Sequence, residues 1–279
     1  MRPLRLGYHW LRDRAHHARR PWFRAERVVR GSFDSAAIVE RLRADGVCVL
    51  KHYVDRAPLA SLQRAAAAIL DAIPADERGV SNAKHLDLGR HPLLAQLLLD
   101  EVVLAVCEAY YGRPVFLAHS RLERLEPTTP YDDRAFQWHH DTKGTYLRAM
   151  WLLTDVPSDG QRMSFAEGSH RQWRPPARYE DTRVPDAEAR ALGPVMECAG
   201  PAGSVVLFDA NGIHRGNRNM GPRREVLFGT YTVGRYLRGC DADARALPWL
   251  TPRQRAVLER SRLPPPEPRP SKAPAADTE

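Results

Sequence analysis

Phe136-Gln137-Trp138-His139-His140-Asp141-Thr142-Lys143-Gly144 sets a His-x-Asp pair between aromatic residues. In extended backbone, residues two apart project to the same side. The His139 imidazole and the Asp141 carboxylate can therefore converge on one metal ion, while His140 points away from both. An ion held this way needs a further ligand from elsewhere in the chain. The best candidate is His214, in Phe208-Asp209-Ala210-Asn211-Gly212-Ile213-His214-Arg215-Gly216, directly after the buried-looking run Val205-Val206-Leu207-Phe208.

Around this stretch, short apolar runs alternate with Gly, Pro and Asp at residues 115–119, 147–154, 162–165, 204–208 and 226–233. Short strands at such spacing predict a barrel or a two-sheet sandwich. Upstream the pattern is helical. Residues 35–44 carry Ala36, Ile38, Val39 and Leu42 near helical spacing, with Ser32 and Asp34 as capping candidates and Gly46 as the stop. Val47-Cys48-Val49-Leu50 then reads as a short buried strand. A second helix runs from Asp55 to near Pro74, and a third is predicted over residues 91–111.

The reading divides the chain into a basic extension (residues 1–31), a catalytic domain (32–240), a C-terminal helical segment (241–262) and a proline-rich tail (263–279). The tail holds six prolines and few large apolar residues, which predicts disorder. Residues 171–193 are rich in proline and charge and predict an excursion over the barrel mouth.

Of the formal charge of +8, residues 1–30 account for +7, with nine arginines against Asp13 and Glu26. The basicity is local. It makes the arm a candidate for weak contact with an anionic membrane surface, though a solvated extension is the favoured reading, and no nucleic-acid partner is expected. No apolar run approaches the ~20 residues that span a bilayer. Cys48, Cys107, Cys198 and Cys240 are scattered, which argues against a disulfide framework or a thiolate zinc site and favours a reducing cytoplasm.

Two histidines and one carboxylate on one face of an ion form the facial triad of non-haem Fe(II) sites, which leaves positions open for O2 and a cosubstrate. The triad has rivals. His85-Leu86-Asp87 is also His-x-Asp, but is expected between two helices. His170 competes with His214, yet Gly168-Ser169-His170 reads as a turn fixed by its own side chains.

These segments together resemble the phytanoyl-CoA dioxygenase-like family of Fe(II)- and 2-oxoglutarate-dependent oxygenases. The match rests on Gly46 to Leu50, on Trp138 to Asp141, on the run from Trp151 to His170, and on Gly203 to His214 followed by an arginine. The resemblance implies a mainly β fold with flanking α: a double-stranded β-helix (jelly-roll, cupin-like) core with the N-terminal helices packed outside. It implies Fe(II), 2-oxoglutarate and O2 as cofactors, with His139, Asp141 and His214 as metal ligands and catalytic residues. An arginine after His214 then grips the far carboxylate of 2-oxoglutarate, a task suited to the planar guanidinium fork. Arg223 and Arg224 both qualify by position. Alternation puts Arg224 with Val226, Phe228 and Thr230 on an interior face, so Arg224 is chosen, in agreement with the family. Trp151 shares the parity of Leu147, Ala149 and Leu153, taken as interior, and the resemblance makes it a wall of the cosubstrate pocket, with core packing as the other reading. Arg148 falls on the opposite face, expected to be solvated. His140 either helps hold the cosubstrate or is a surface histidine.

The expected reaction is hydroxylation of a small organic substrate with release of succinate and CO2. Asp141 fills the place that a halide takes in related halogenases. Two alternatives use other chemistry: a zinc hydrolase built on the same triad, and a non-catalytic jelly-roll binding module.

Overall fold

Strand β11 (Arg224–Thr232) is flanked on both sides and organises the larger of two main sheets. The computed structural model describes residues 26–129, 136–141, 146–172, 182–233 and 246–261. Most of the expected basic extension, residues 173–181 of the expected excursion, and the proline-rich tail lie outside the described residues.

The larger sheet has six strands, each antiparallel to its neighbours. In spatial order they are β3 (Val47–Leu50), β9 (Val205–Asp209), β6 (Leu147–Leu152), β11, β5 (Phe116–Leu125) and β4 (Ser81–His85). The smaller sheet has three: β10 (His214–Gly216), β7 (Met163–Ala166) and β8 (Val195–Cys198). A short hairpin, β1 (Val29–Arg30) with β2 (Phe33–Asp34), precedes the first helix. The two facing sheets are the expected double-stranded β-helix.

Both faces of the six-stranded sheet are buried, so its central strands are apolar on both sides of the pleat. On one face Val47, Met150, Leu152, Val206, Phe208 and Val226 pack against Met163, Phe165 and Cys198 of the small sheet. On the other, Cys48, Leu147, Ala149, Trp151, Leu207, Leu227 and Tyr231 pack beneath the helices. Each large apolar side chain fully buried in these layers contributes roughly 1.5–3 kcal/mol.

The helices are α1 (Ser35–Asp45), α2 (Arg56–Asp71), α3 (Pro92–Leu98), α4 (Glu101–Tyr111), α5 (Asp186–Ala191) and α6 (Pro252–Ser261). The Asp34 carboxylate accepts from Ala36 N to start α1, and Gly46 ends it at φ 81°. A Cβ at Gly46 would stand 2.4 Å from His170 Nδ1, so close packing as well as the left-handed backbone requires glycine. One expectation is corrected. The third predicted helix is two helices, because the buried Asp100 carboxylate caps a new start by accepting from Val102 N and Val103 N. His85 lies between α2 and α3, as expected, at the end of β4, an edge strand whose polar sequence carries no apolar signal.

Candidate metal centre

His139 and His214 face each other in an isolated antiparallel bridge. His139 N donates to His214 O at 2.9 Å, and His214 N donates back to His139 O at 2.8 Å. Asp141 N donates to Ala210 O at 2.9 Å. The short segment carrying the His-x-Asp pair is thereby laid along β10 and the turn before it. One ligand atom from each of His139, Asp141 and His214 lies within 4.8 Å of the other two. Among the described residues no other such cluster of His, Cys, Asp or Glu occurs. The rival Asp87 instead accepts from Gly89 N.

Both imidazoles are oriented from behind. His139 Nδ1 lies 2.8 Å from Gln137 O, and His214 Nδ1 lies 2.9 Å from Gly212 O. A carbonyl oxygen only accepts, so each Nδ1 carries the proton and each Nε2 keeps a free lone pair. Such bonds from ring to backbone carbonyl fix the tautomer that a metal requires. The His214 ring stacks on Phe165, with centroids 6.4 Å apart, and tilts against Phe208 at 5.3 Å. Ser169 Oγ accepts from Ile213 N at 2.8 Å, so the turn around His170 braces the residue before the ligand, as expected. His170 itself sits behind Gly46, with Nε2 3.3 Å from Arg43 O, and takes no part in the cluster.

Burial, and the neighbouring His214, depress the His139 pKa to about 3. Burial likewise lowers that of His214. Burial opposes ionisation of Asp141, yet the Arg148 guanidinium above all holds its carboxyl below the usual range. Two neutral imidazoles and one carboxylate are the donor set that non-haem Fe(II) takes. The residues present fit that ion.

Arg224 is buried on the face of Val226. It donates through Nη1 to Gln161 O at 2.7 Å, its Nη2 lies 3.7 Å from Glu123 Oε1, and its buried Nε has no hydrogen-bond partner. Burial lowers its pKa to about 10, so it stays cationic at neutral pH. Arg223 is half-exposed.

Residues 42–226 match the phytanoyl-CoA dioxygenase (PhyH) family. The chain belongs to that family. It is 27% identical over 236 residues to the ectoine dioxygenase of Stutzerimonas stutzeri, covering 71% of this chain and 76% of that one. It is also 27% identical over 252 residues to the enzyme of the same name from Sphingopyxis alaskensis, covering 76% and 80%. Among solved structures, EctD from S. alaskensis with 2-oxoglutarate and 5-hydroxyectoine superposes with a TM-score of 0.59 at 25% identity, covering 82% and 86%. The epimerase SnoN with Fe3+, alpha ketoglutarate and nogalamycin RO shares the fold, with a TM-score of 0.58 at 19% identity over 71% and 83%. This PhyH-family chain is a non-haem iron enzyme that uses Fe(II), 2-oxoglutarate and O2. No helix among its described residues is long and apolar enough to cross a membrane.

Two further placements differ from expectation. Trp151 stands in the core beneath the helices, on the face of the sheet opposite to Met150, Leu152 and Val226. Its packing there is the core-packing reading, on the face of β6 away from Arg224. Both faces of β6 are apolar, so parity alone could not say which was inside. Arg148, expected in solvent, shares the inner face, and its Nη2 lies 2.8 Å from Asp141 Oδ2. His140 Nδ1 lies 3.0 Å from Asp141 O, the backbone of its own neighbour.

Proposed function

We propose that the protein hydroxylates a small organic molecule, with His139 Nε2, the Asp141 carboxylate and His214 Nε2 holding Fe(II) and Arg224 gripping the far carboxylate of 2-oxoglutarate. The observation that carries this reading is the convergence of the three ligand atoms within 4.8 Å. Two Nδ1 protons already committed to backbone carbonyls support it.

When bound, iron and 2-oxoglutarate couple O2 reduction and oxidative decarboxylation, which yields succinate and CO2, to oxygen insertion into a substrate C–H bond. The chain's own residues do the rest. Phe165 and Phe208 shield the His214 imidazole from water and keep it in place. Asp141, being ionised, supplies the negative charge of the ligand set and occupies the position that a halide would need. Arg224 offers its unpartnered Nε in a dry setting, where a charge-assisted bond to carboxylate is strong. His140 Nδ1 meets the Asp141 carbonyl and is assigned no role.

A zinc hydrolase built on the same three ligands would have no use for a buried arginine on the inner wall. The test is succinate release and O2 uptake with iron and 2-oxoglutarate. Turnover dependent on both additions is expected, even without the native substrate. Failure of the metal-loaded protein to bind 2-oxoglutarate would refute the proposal.

A further inference from the structure

We propose that Arg148 is a specificity-determining residue that selects a substrate bearing an anionic group, a carboxylate or a phosphate, next to the carbon that reacts. This rests on the dioxygenase reading above and names the substrate class of the same site.

The strand register places Arg148. It alternates with Met150 and Leu152, which pack into the inner core. Its cross-strand neighbours are Phe208 on β9 and Thr230 on β11, and the Phe208 ring lies 5.3 Å from the His214 ring. Arg148 therefore occupies the row of the sheet nearest the metal ligands. Its side chain is 31% exposed, so it is not sealed in the core. Its Nη2 reaches Asp141 Oδ2 at 2.8 Å, while its Nε is buried with no hydrogen-bond partner.

Charge supplies the rest. The inner wall presents Arg121, Arg148 and Arg224. Glu123 pairs with Arg121 and lies 3.7 Å from Arg224. His119, across Thr230 from Arg148, adds no charge at neutral pH: burial, with His85 and Arg121, depresses its pKa to about 4. A divalent ion on Asp141 competes for the carboxylate that now balances Arg148. The two carboxylates of 2-oxoglutarate are committed to the metal and to Arg224. That leaves the Arg148 guanidinium, two-thirds buried beside a dication, short of a counter-charge. Such a group is costly unless an anion meets it. A carboxylate or phosphate on the substrate supplies that anion, and the guanidinium fork would orient it.

The test uses protein loaded with Ni(II), which supports no turnover, and 2-oxoglutarate. Propionate, methyl phosphate and neutral propionamide are titrated calorimetrically. Wild type is expected to prefer one of the two anions over propionamide by about tenfold, the worth of one charge-assisted hydrogen bond, and the tighter anion identifies the group. Arg148→Met should reduce the preference to about twofold or less, and Arg148→Lys should restore part of it. An unchanged preference in Arg148→Met overturns the proposal. So does a variant whose 2-oxoglutarate binding weakens while its anion preference stays, which would assign Arg148 to the cosubstrate. Loss of Ni(II) binding in both variants, with unchanged melting temperature, also overturns it, leaving Arg148 only to orient Asp141. A wild type that takes up no 2-oxoglutarate sinks the dioxygenase reading itself. One that takes up 2-oxoglutarate but shows no anion preference sinks this inference alone.

Discussion

One nitrogen of each imidazole at the centre is already committed to a backbone carbonyl, and this makes the site sensitive to changes that touch no ligand. Gly212 is the sharpest case. Its carbonyl takes the His214 Nδ1 proton, and a Cβ on it would fall 2.0 Å from the Phe165 ring that stacks on His214. Gly212→Ala should therefore lower iron affinity by about 10–100-fold, the usual cost of losing the hydrogen bond that orients a ligand. Calorimetric metal titration would check this, and affinity within about twofold of wild type would count against it. The pH dependence of folding below neutrality is tied in part, alongside the depressed His139 and His214, to His119. With its native pKa near 4 against about 6.5 unfolded, the unfolded chain binds the extra proton. Stability is then full above about pH 6.5 and falls as pH drops toward 4. His119→Asn should flatten that part of the denaturation profile.

Among the elements, the break between α3 and α4 depends on one buried carboxylate. Asp100 caps α4, accepts from the Tyr53 hydroxyl and pairs with Arg30. Asp100→Ala should destabilise the fold by about 2 kcal/mol, combining a lost cap with stranded buried donors, read as a lower urea midpoint. The sequence carried the first signals well. Capping by Asp34 and Gly46, the buried strand after Gly46, and the parity of His139 with Asp141 are all local, so they were legible. The bridge between His139 and His214 joins residues far apart in sequence, and nothing local encodes its register. β4 was invisible because Ser81-Asn82-Ala83-Lys84-His85 is polar, and β10 because it is only three residues long. The exchange of roles between Trp151 and Arg148 has one cause. In a sheet buried on both faces, apolar residues no longer mark the inside. Pairing decides the question: Leu152 lies opposite Val226, on the face of Arg224, and Trp151 lies opposite Leu227.

At the scale of the molecule, the three ligands and Arg224 all fall between residues 139 and 224, inside the span matched to the family. A chain beginning at Glu26 is thus expected to keep 2-oxoglutarate-dependent O2 uptake within about twofold of the full chain, since it retains every assigned residue. Loss of uptake in a folded protein would make the basic arm part of the catalytic unit. The proposed activity requires iron to meet 2-oxoglutarate at His139, Asp141 and His214. Anaerobic absorption spectroscopy tests this most directly, because the Fe(II) chelate of a 2-oxo acid has a visible charge-transfer band. The band should appear only when both iron and 2-oxoglutarate are present, and should vanish in Asp141→Ala and His214→Ala. A wild type without the band, or variants that keep it at full intensity, would contradict the assignment.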